Sequence, residues 1–325
     1  MSIFSLQPQD LKRHGHGLKR PECVLCTAAG DVVASHWGGG VSLIRADGSQ
    51  RDILGRREGL GPVGTNGCAI TAAGDFLLAD LSNDGGGVWR LSRDGALAPF
   101  LREVDGVALE PTNFVGVDHQ GRAWITVSTR HVPRHDALSR EVADGYVVLA
   151  DERGARIVAD GLCYTNEAIV HPAGDWLYVN ETMARRTSRY RIAANGDLGP
   201  RETVTEYGLG TFPDGLAFDA EGAFWMTAVL ANSVVRVTPD GKQQVIVEEN
   251  DPAILQEIEA VYRAGTMRGE HLARIETEVM RNISSIAFGG PDLKTVYLGN
   301  LLDDTLYSFA SPVAGARPSH WGVRL

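Results

Sequence analysis

Four cysteines in 325 residues are too few to staple a chain of this length, which excludes a disulfide framework as the source of its stability. Positive charge is also short. Lys and Arg number 31 against 41 Asp and Glu, a formal charge of −10, which argues against a nucleic-acid or anionic-membrane surface and leaves a small molecule as the expected partner. No apolar run approaches the roughly twenty residues that span a bilayer, so no membrane partner is expected. The opening MSIFSLQPQDLKRHGHG lacks the charged-then-apolar order of a secretion signal, and the chain is read as cytoplasmic.

Three short motifs fall away on inspection. Cys23 and Cys26 spell C-x-x-C, but on a strand residues three apart point to opposite faces and do not grip one metal, so buried reduced thiols are expected. GLGPVG at 59–64 has the glycine spacing of a dinucleotide loop, yet Pro62 interrupts it and no helical pattern follows. The glycosylation sequons at 180–182 and 282–284 carry no meaning without secretion.

What the chain does have is internal repetition. TAAGDVVAS, TAAGDFLLA, DHQGRAWIT, HPAGDWLYV and DAEGAFWMT each join two apolar strands through a tight turn at Gly30, Gly74, Gly121, Gly174 or Gly222. Those glycines stand 44, 47, 53 and 48 residues apart, and ISSIAFGGPDLKTVYLGN is a sixth, looser copy. Periods of this size with several strands per unit are the signature of propeller blades. Further strands such as GVSLIRADG, GVWRLSRDG and SVVRVTPDG end in Asp-Gly hairpin turns. The fold class predicted is all-β: a single six-bladed β-propeller over residues 1–325, four strands per blade, with a helical insertion at about 250–281 between blades 5 and 6.

The stretch FPDGLAFDAEGAFWMT opens a buried strand with Asp214, a charge that costs several kcal/mol to bury unless it is paired. Asp214 lies eight residues before its blade glycine, and the same offset lands on Glu22, Asn66, Asn113 and Asn166. In a propeller the innermost strand of every blade runs along the central channel, so one shared offset gathers these side chains in a ring at one mouth. Asx residues at single strand starts often cap turns; five oxygen-bearing side chains at one register point to a cation. Two carboxylates with amide oxygens, and no His or Cys, suit a hard ion such as calcium, with zinc, manganese and magnesium as substitutes.

The blade starts PECV, PTNF, TNEAI and FPDGLAFD, with the closing FGGPDLKTVYLGN, resemble the regucalcin and gluconolactonase family of six-bladed propellers, which includes senescence marker protein and diisopropyl fluorophosphatase. The resemblance covers nearly the whole chain. It implies that Glu22, Asn166 and Asp214 hold a catalytic calcium or another divalent ion, and that Asn113 is a fourth ligand or a substrate contact. Sugar-lactone members often carry an arginine two residues before this asparagine and an acid after it. Here Pro111 and Phe114 stand there, which leads to the expectation of a substrate less polar than a hexonolactone.

The chemistry implied is hydrolysis of a small lactone by water attack on a metal-polarised carbonyl, with Asp214 as ligand and as base or nucleophile. A phosphotriesterase-like or non-hydrolytic enzyme on a larger organic substrate, and a calcium-binding propeller without catalysis, remain open beside it. The second strand of each blade climbs back to the mouth. On that ground His36 and Glu181 are the candidate catalytic partners, and Asn66, Asn113, Phe114, Trp37, Arg130 and His131 the candidate substrate contacts. Two insertions, 130–144 and 250–281, should emerge beside the ion. The longer reads as two helices: Asp251 at the N-cap, Pro252 first, Ile254, Ile258, Val261 and Tyr262 on one face, then Leu272, Ile275 and Val279 on a second.

Overall fold

A computed structural model describes residues 4–82, 85–274 and 276–325. Six four-stranded antiparallel sheets form the blades, with one further two-stranded hairpin between blades 2 and 3. The inner strands are Val24–Cys26, Thr65–Ile70, Thr112–Val117, Thr165–Val170, Pro213–Phe218 and Ile283–Gly289. From blade 2 to blade 6 each packs on the inner strand of the next blade, the sixth returns to the first, and blade 2 meets blade 1 through its second strand, Val32–His36. The ring is closed by the N-terminal segment: Lys12–His14 pairs with Leu306–Ala310 and becomes the outer strand of blade 6.

Alternation of apolar residues on the strands explains the assembly. Every blade is apolar on both faces, so blades stack radially and bury six separate cores, one at each blade boundary. The turn glycines at 30, 74, 121, 174 and 222 all adopt φ between 78° and 85°, the left-handed region open to glycine at no steric cost. In blade 6 the equivalent place is held by Leu293 at φ 58°, which is why that copy reads as loose. Behind two of the turns a buried aspartate ties blade to turn: Trp124 Nε1 donates to Asp118 at 2.9 Å, and Trp225 Nε1 to Asp219 at 3.0 Å.

Helix α1, Pro252–Arg263, forms where the sequence places it. The Asp251 carboxylate caps it, accepting from the Ala253 amide at 2.7 Å, and Ile254, Leu255, Ile258, Glu259 and Tyr262 are buried. The predicted second helix is corrected. It amounts to one turn, α2, Gly269–Leu272; Val279 lies beyond it, and Ile275 falls outside the described residues. The reason is a competing acceptor, because the Glu249 carboxylate takes the amides of Glu278, Val279 and Met280, donors that a helix would need for its own ladder. Among the described residues no helix is long and apolar enough to cross a membrane.

Candidate active site at the channel mouth

The inner strands do not run straight into the mouth. In blades 2 to 6 each slips register against its neighbour near its start, between Thr65 and Cys68, Thr112 and Phe114, Thr165 and Ala168, Pro213 and Leu216, and Ile283 and Ser285. Asn66, Asn113, Asn166 and Asp214 sit in these slips, and such bulges re-aim a side chain out of the alternating pattern. In blade 6 the corresponding residue is Ser284, which the glycine spacing did not reveal. Its hydroxyl donates to the Glu22 carbonyl at 3.0 Å. Neighbouring blades hold the other ring carbonyls in the same way: Asn66 Nδ2 donates to Asn113 O at 3.0 Å and Asn180 Nδ2 to Asp214 O at 2.9 Å.

The ring is deep, with Glu22, Asn113, Asn166 and Asp214 each at most 7% exposed. Two amide oxygens of the ring, Asn113 Oδ1 and Asn166 Oδ1, are buried with no hydrogen-bond donor, and the buried Glu22 Oε2 beside them is met only by Arg20. Leaving one such acceptor unpaired costs on the order of 1–3 kcal/mol, so two of them beside two carboxylates call for a cation. Asp214 completes the set. Burial, and then the charge of Glu22, push its carboxyl well above the usual carboxylate range, against the pull of Arg20, Arg134 and Asn166. Among the described residues no three His, Cys, Asp or Glu gather as a cage; this candidate set pairs two carboxylates with two amides, all hard oxygen donors of the kind calcium takes.

Asn66 belongs to the wall and not to that set, since its Oδ1 accepts from Arg20 Nη1 at 2.9 Å. Arg20, missed in the sequence because it lies outside the repeat, has φ 50° and lays its guanidinium over the Trp37 ring at 4.4 Å. Its Nη1 stands 2.5 Å from Glu22 Oε2 as an ion pair. Trp37 is thereby brought to the mouth. Tyr164 and Arg134 are two further residues that spacing did not single out. Below the ring the channel holds a mainly apolar cavity of about 150 Å³, lined partly by Glu167 and closed at the far end by residues 316–320. Glu167 accepts from the Leu216 amide at 2.9 Å, and burial raises its carboxyl well above the ordinary range.

The remaining candidates go elsewhere. His36 is turned toward the outer strands of its blade, its Nδ1 accepting from the Gly38 amide and its Nε2 3.6 Å from Asp52. Glu181 is fully buried and engaged by Arg186, Ser188 and the Cys163 amide; burial would raise its pKa, but these bonds outweigh burial and hold it low. Arg130 forks onto Asp160 at 2.9 and 2.8 Å, and His131 stands 3.6 Å from Asp144, both on the exposed foot of the 130–144 insertion. Phe114 packs with the core between blades 1 and 2, against Gly67, where even a Cβ would come within 2.7 Å of it, and also lines the cavity below the ring.

The two insertions meet above the ring. Ala137 and Leu138 of the first share one apolar cluster with Ile254, Ile258 and Tyr262 of α1 and with Tyr164 and Phe212, which directly precede the bulges of blades 4 and 5. Arg185 fixes the arrangement, lying 4.4 Å over Phe212 and 3.9 Å over Tyr262 and pairing with the buried Glu259 at 2.5 Å.

Residues 55–251, more than half of the chain, match the sequence profile of the SMP-30/gluconolactonase/LRE-like region. The chain belongs to this family. It is 28% identical over 237 residues to a 6-deoxy-6-sulfogluconolactonase of Pseudomonas putida, spanning 71% of this chain and 67% of that protein. A gluconolactonase structure from Xanthomonas campestris superposes with a TM-score of 0.67 at 19% identity, over 91% of this chain and 88% of that one. A calcium-binding regucalcin from Agrobacterium tumefaciens gives 0.62 at 15% identity, over 100% and 95%. At these identities the two structures establish the six-bladed fold of this family member.

Proposed function

We propose that this family member is a lactone hydrolase that works with a divalent ion, calcium matching its donors best. The observation that carries the reading is the two unpaired buried amide oxygens at the mouth, Asn113 Oδ1 and Asn166 Oδ1, gathered with the buried carboxyls of Glu22 and Asp214. Glu22, Asn166 and Asp214 would hold the ion, with Asn113 as a fourth ligand or a contact to the substrate. When bound, such an ion polarises a carbonyl oxygen and lowers the pKa of a coordinated water.

The protein's own residues do the rest. The free oxygen of the Asp214 carboxylate would take the proton from the attacking water, a role open to a buried carboxylate at the acceptor ring. Trp37 and Arg20 form one side of the mouth, and the apolar cluster around Tyr164, Phe212 and Tyr262 forms the other and excludes bulk water. His36 and Glu181 support the strands that carry the ring. The family kinship and the sulfogluconolactonase relative favour a sugar lactone over an aromatic one.

The test is a panel of sugar, aliphatic and aromatic lactones with calcium, zinc, manganese or magnesium, read by acid release. The reading expects turnover of a sugar lactone well above the uncatalysed rate. Hydrolysis of none of them alongside tight calcium binding would instead identify a binding propeller.

A further inference from the structure

Resting on the lactonase reading, the geometry points to a substrate that carries a second, anionic group, and we propose that Arg134 with Arg20 is the subsite that receives it. The argument begins with charge. Glu22 and Asp214 bring two negative charges to the mouth, and Arg20 and Arg134 bring two positive ones that both act on Asp214. Without an ion this balances. With a divalent ion on the carboxylates the mouth holds a net charge of +2, buried under an apolar rim where screening by salt is weak.

Arg134 is the arm that lacks a partner. It opens the turn Arg134–Ala137, whose Ala137 and Leu138 are buried beside Tyr164 in the cluster above the ring. It is half-buried, yet among the described residues no carboxylate pairs with it, and its neighbour toward the ring is the buried Tyr164 hydroxyl. Its neighbours on the same insertion are already matched: Arg130 with Asp160, His131 with Asp144, and Arg140 with Glu141. Arg20, by contrast, is already held by Glu22, Asn66 and Trp37 and adds its charge to the field at the mouth. Two guanidinium groups facing a cation repel one another until an anion enters, and the planar fork of arginine suits a carboxylate, sulfonate or phosphate. An aldonolactone with such a group at the end of its chain would place the ring carbonyl over the acceptor ring and the anion at Arg134.

A matched pair of probes decides this. Glucaro-1,4-lactone differs from glucono-1,4-lactone by a carboxylate in place of the terminal hydroxymethyl. The calcium-loaded protein should favour the glucaro compound at least tenfold in kcat/KM, through KM. Arg134→Gln should cut the ratio of the two kcat/KM values at least tenfold, and Arg134→Lys should restore part of it. Equal kcat/KM for the two lactones, or a ratio unchanged in Arg134→Gln, overturns the subsite. If neither lactone is turned over, the hydrolase reading fails by itself, and calorimetric titration with glucaro-1,4-lactone still decides the subsite: binding that is lost in Arg134→Gln supports it, and binding that is absent or equal in both proteins overturns it.

Discussion

Asp214→Asn should make the metal-free protein more stable and abolish its response to calcium. The carboxyl is 5% exposed, and burial together with Glu22 raises its pKa well above 3.8. The native state therefore binds a proton more tightly than the unfolded chain, so this group costs no stability below the unfolded pKa and a growing amount as pH rises toward the folded value. At pH 7 that cost is bounded by about 1.4 kcal/mol per pH unit over the span from 3.8, or about 4 kcal/mol. With an unfolding entropy of about 2.1 cal/mol/K per residue over 325 residues, that bound corresponds to a rise in Tm of at most about 6 °C on replacement by Asn. Calcium at a hundred times its Kd should lift the wild type by about 2.7 kcal/mol, or about 4 °C. Thermal unfolding by calorimetry at pH 7 and pH 5, in chelator and in calcium, reads both effects. The reasoning is refuted if Asp214→Asn is less stable than wild type in chelator at pH 7, or if it keeps the full calcium shift.

Other parts of the structure give sharper steric and electrostatic tests. Gly215→Ala would place a Cβ 2.5 Å from Ser284 O and 2.6 Å from Ser285 Cα, backbone of the next blade, and should lower stability by at least about 2 kcal/mol in denaturant titrations, whereas Gly208→Ala, with nothing within 4 Å, should stay within about 0.5 kcal/mol. Asp219→Ala removes the acceptor of Trp225 Nε1, Arg236 and the amides of Glu221 and Ala223, and should cost roughly 3 kcal/mol or more in the same assay. His320, whose Nε2 is sealed without a partner at the far end of the channel, has its pKa lowered by burial to about 4. Its native state therefore holds fewer protons than the unfolded chain between pH 6.5 and about 4, and stability falls on acidification through that window, by up to roughly 3 kcal/mol. Urea midpoints of His320→Gln should show a flatter dependence over those pH values.

The ring of oxygen donors was legible because a repeat carries its own ruler: a side chain eight residues before each blade glycine must return to the same height on the channel. The sixth member was hidden by one residue. In blade 6 the ladder from Ser285–Gly299 to Gly289–Thr295 is one pair longer than its counterpart in blade 3, and Leu293 stands at the turn in place of glycine, so the offset of eight lands on Ser285 and Ser284 escaped. His36 and Glu181 were misleading for a different reason. A second strand does end at the mouth, but their side chains point along the blade, Glu181 to Arg186 and Ser188, and Glu181 is spent on the sheet. The partners that came from outside the repeat had no signal at all: Arg20 reaching Asn66, and Lys12–His14 closing blade 6 across almost the whole chain, are set by three-dimensional closure and not by local pattern. At Phe114 the bulge turned Asn113 to the mouth and left the ring packed with the core.

The central claim is that Glu22, Asn166 and Asp214 hold one ion on which lactone opening depends. Its most direct measurement is acid release from a sugar lactone, followed in a pH-stat while calcium is titrated into chelator-treated protein. The account predicts a rate that rises from near background to a plateau at one ion per chain, and a rate at least a hundredfold lower at that plateau for Asp214→Asn. Full turnover by the stripped protein, or an Asp214→Asn variant that reaches the wild-type plateau, would contradict it.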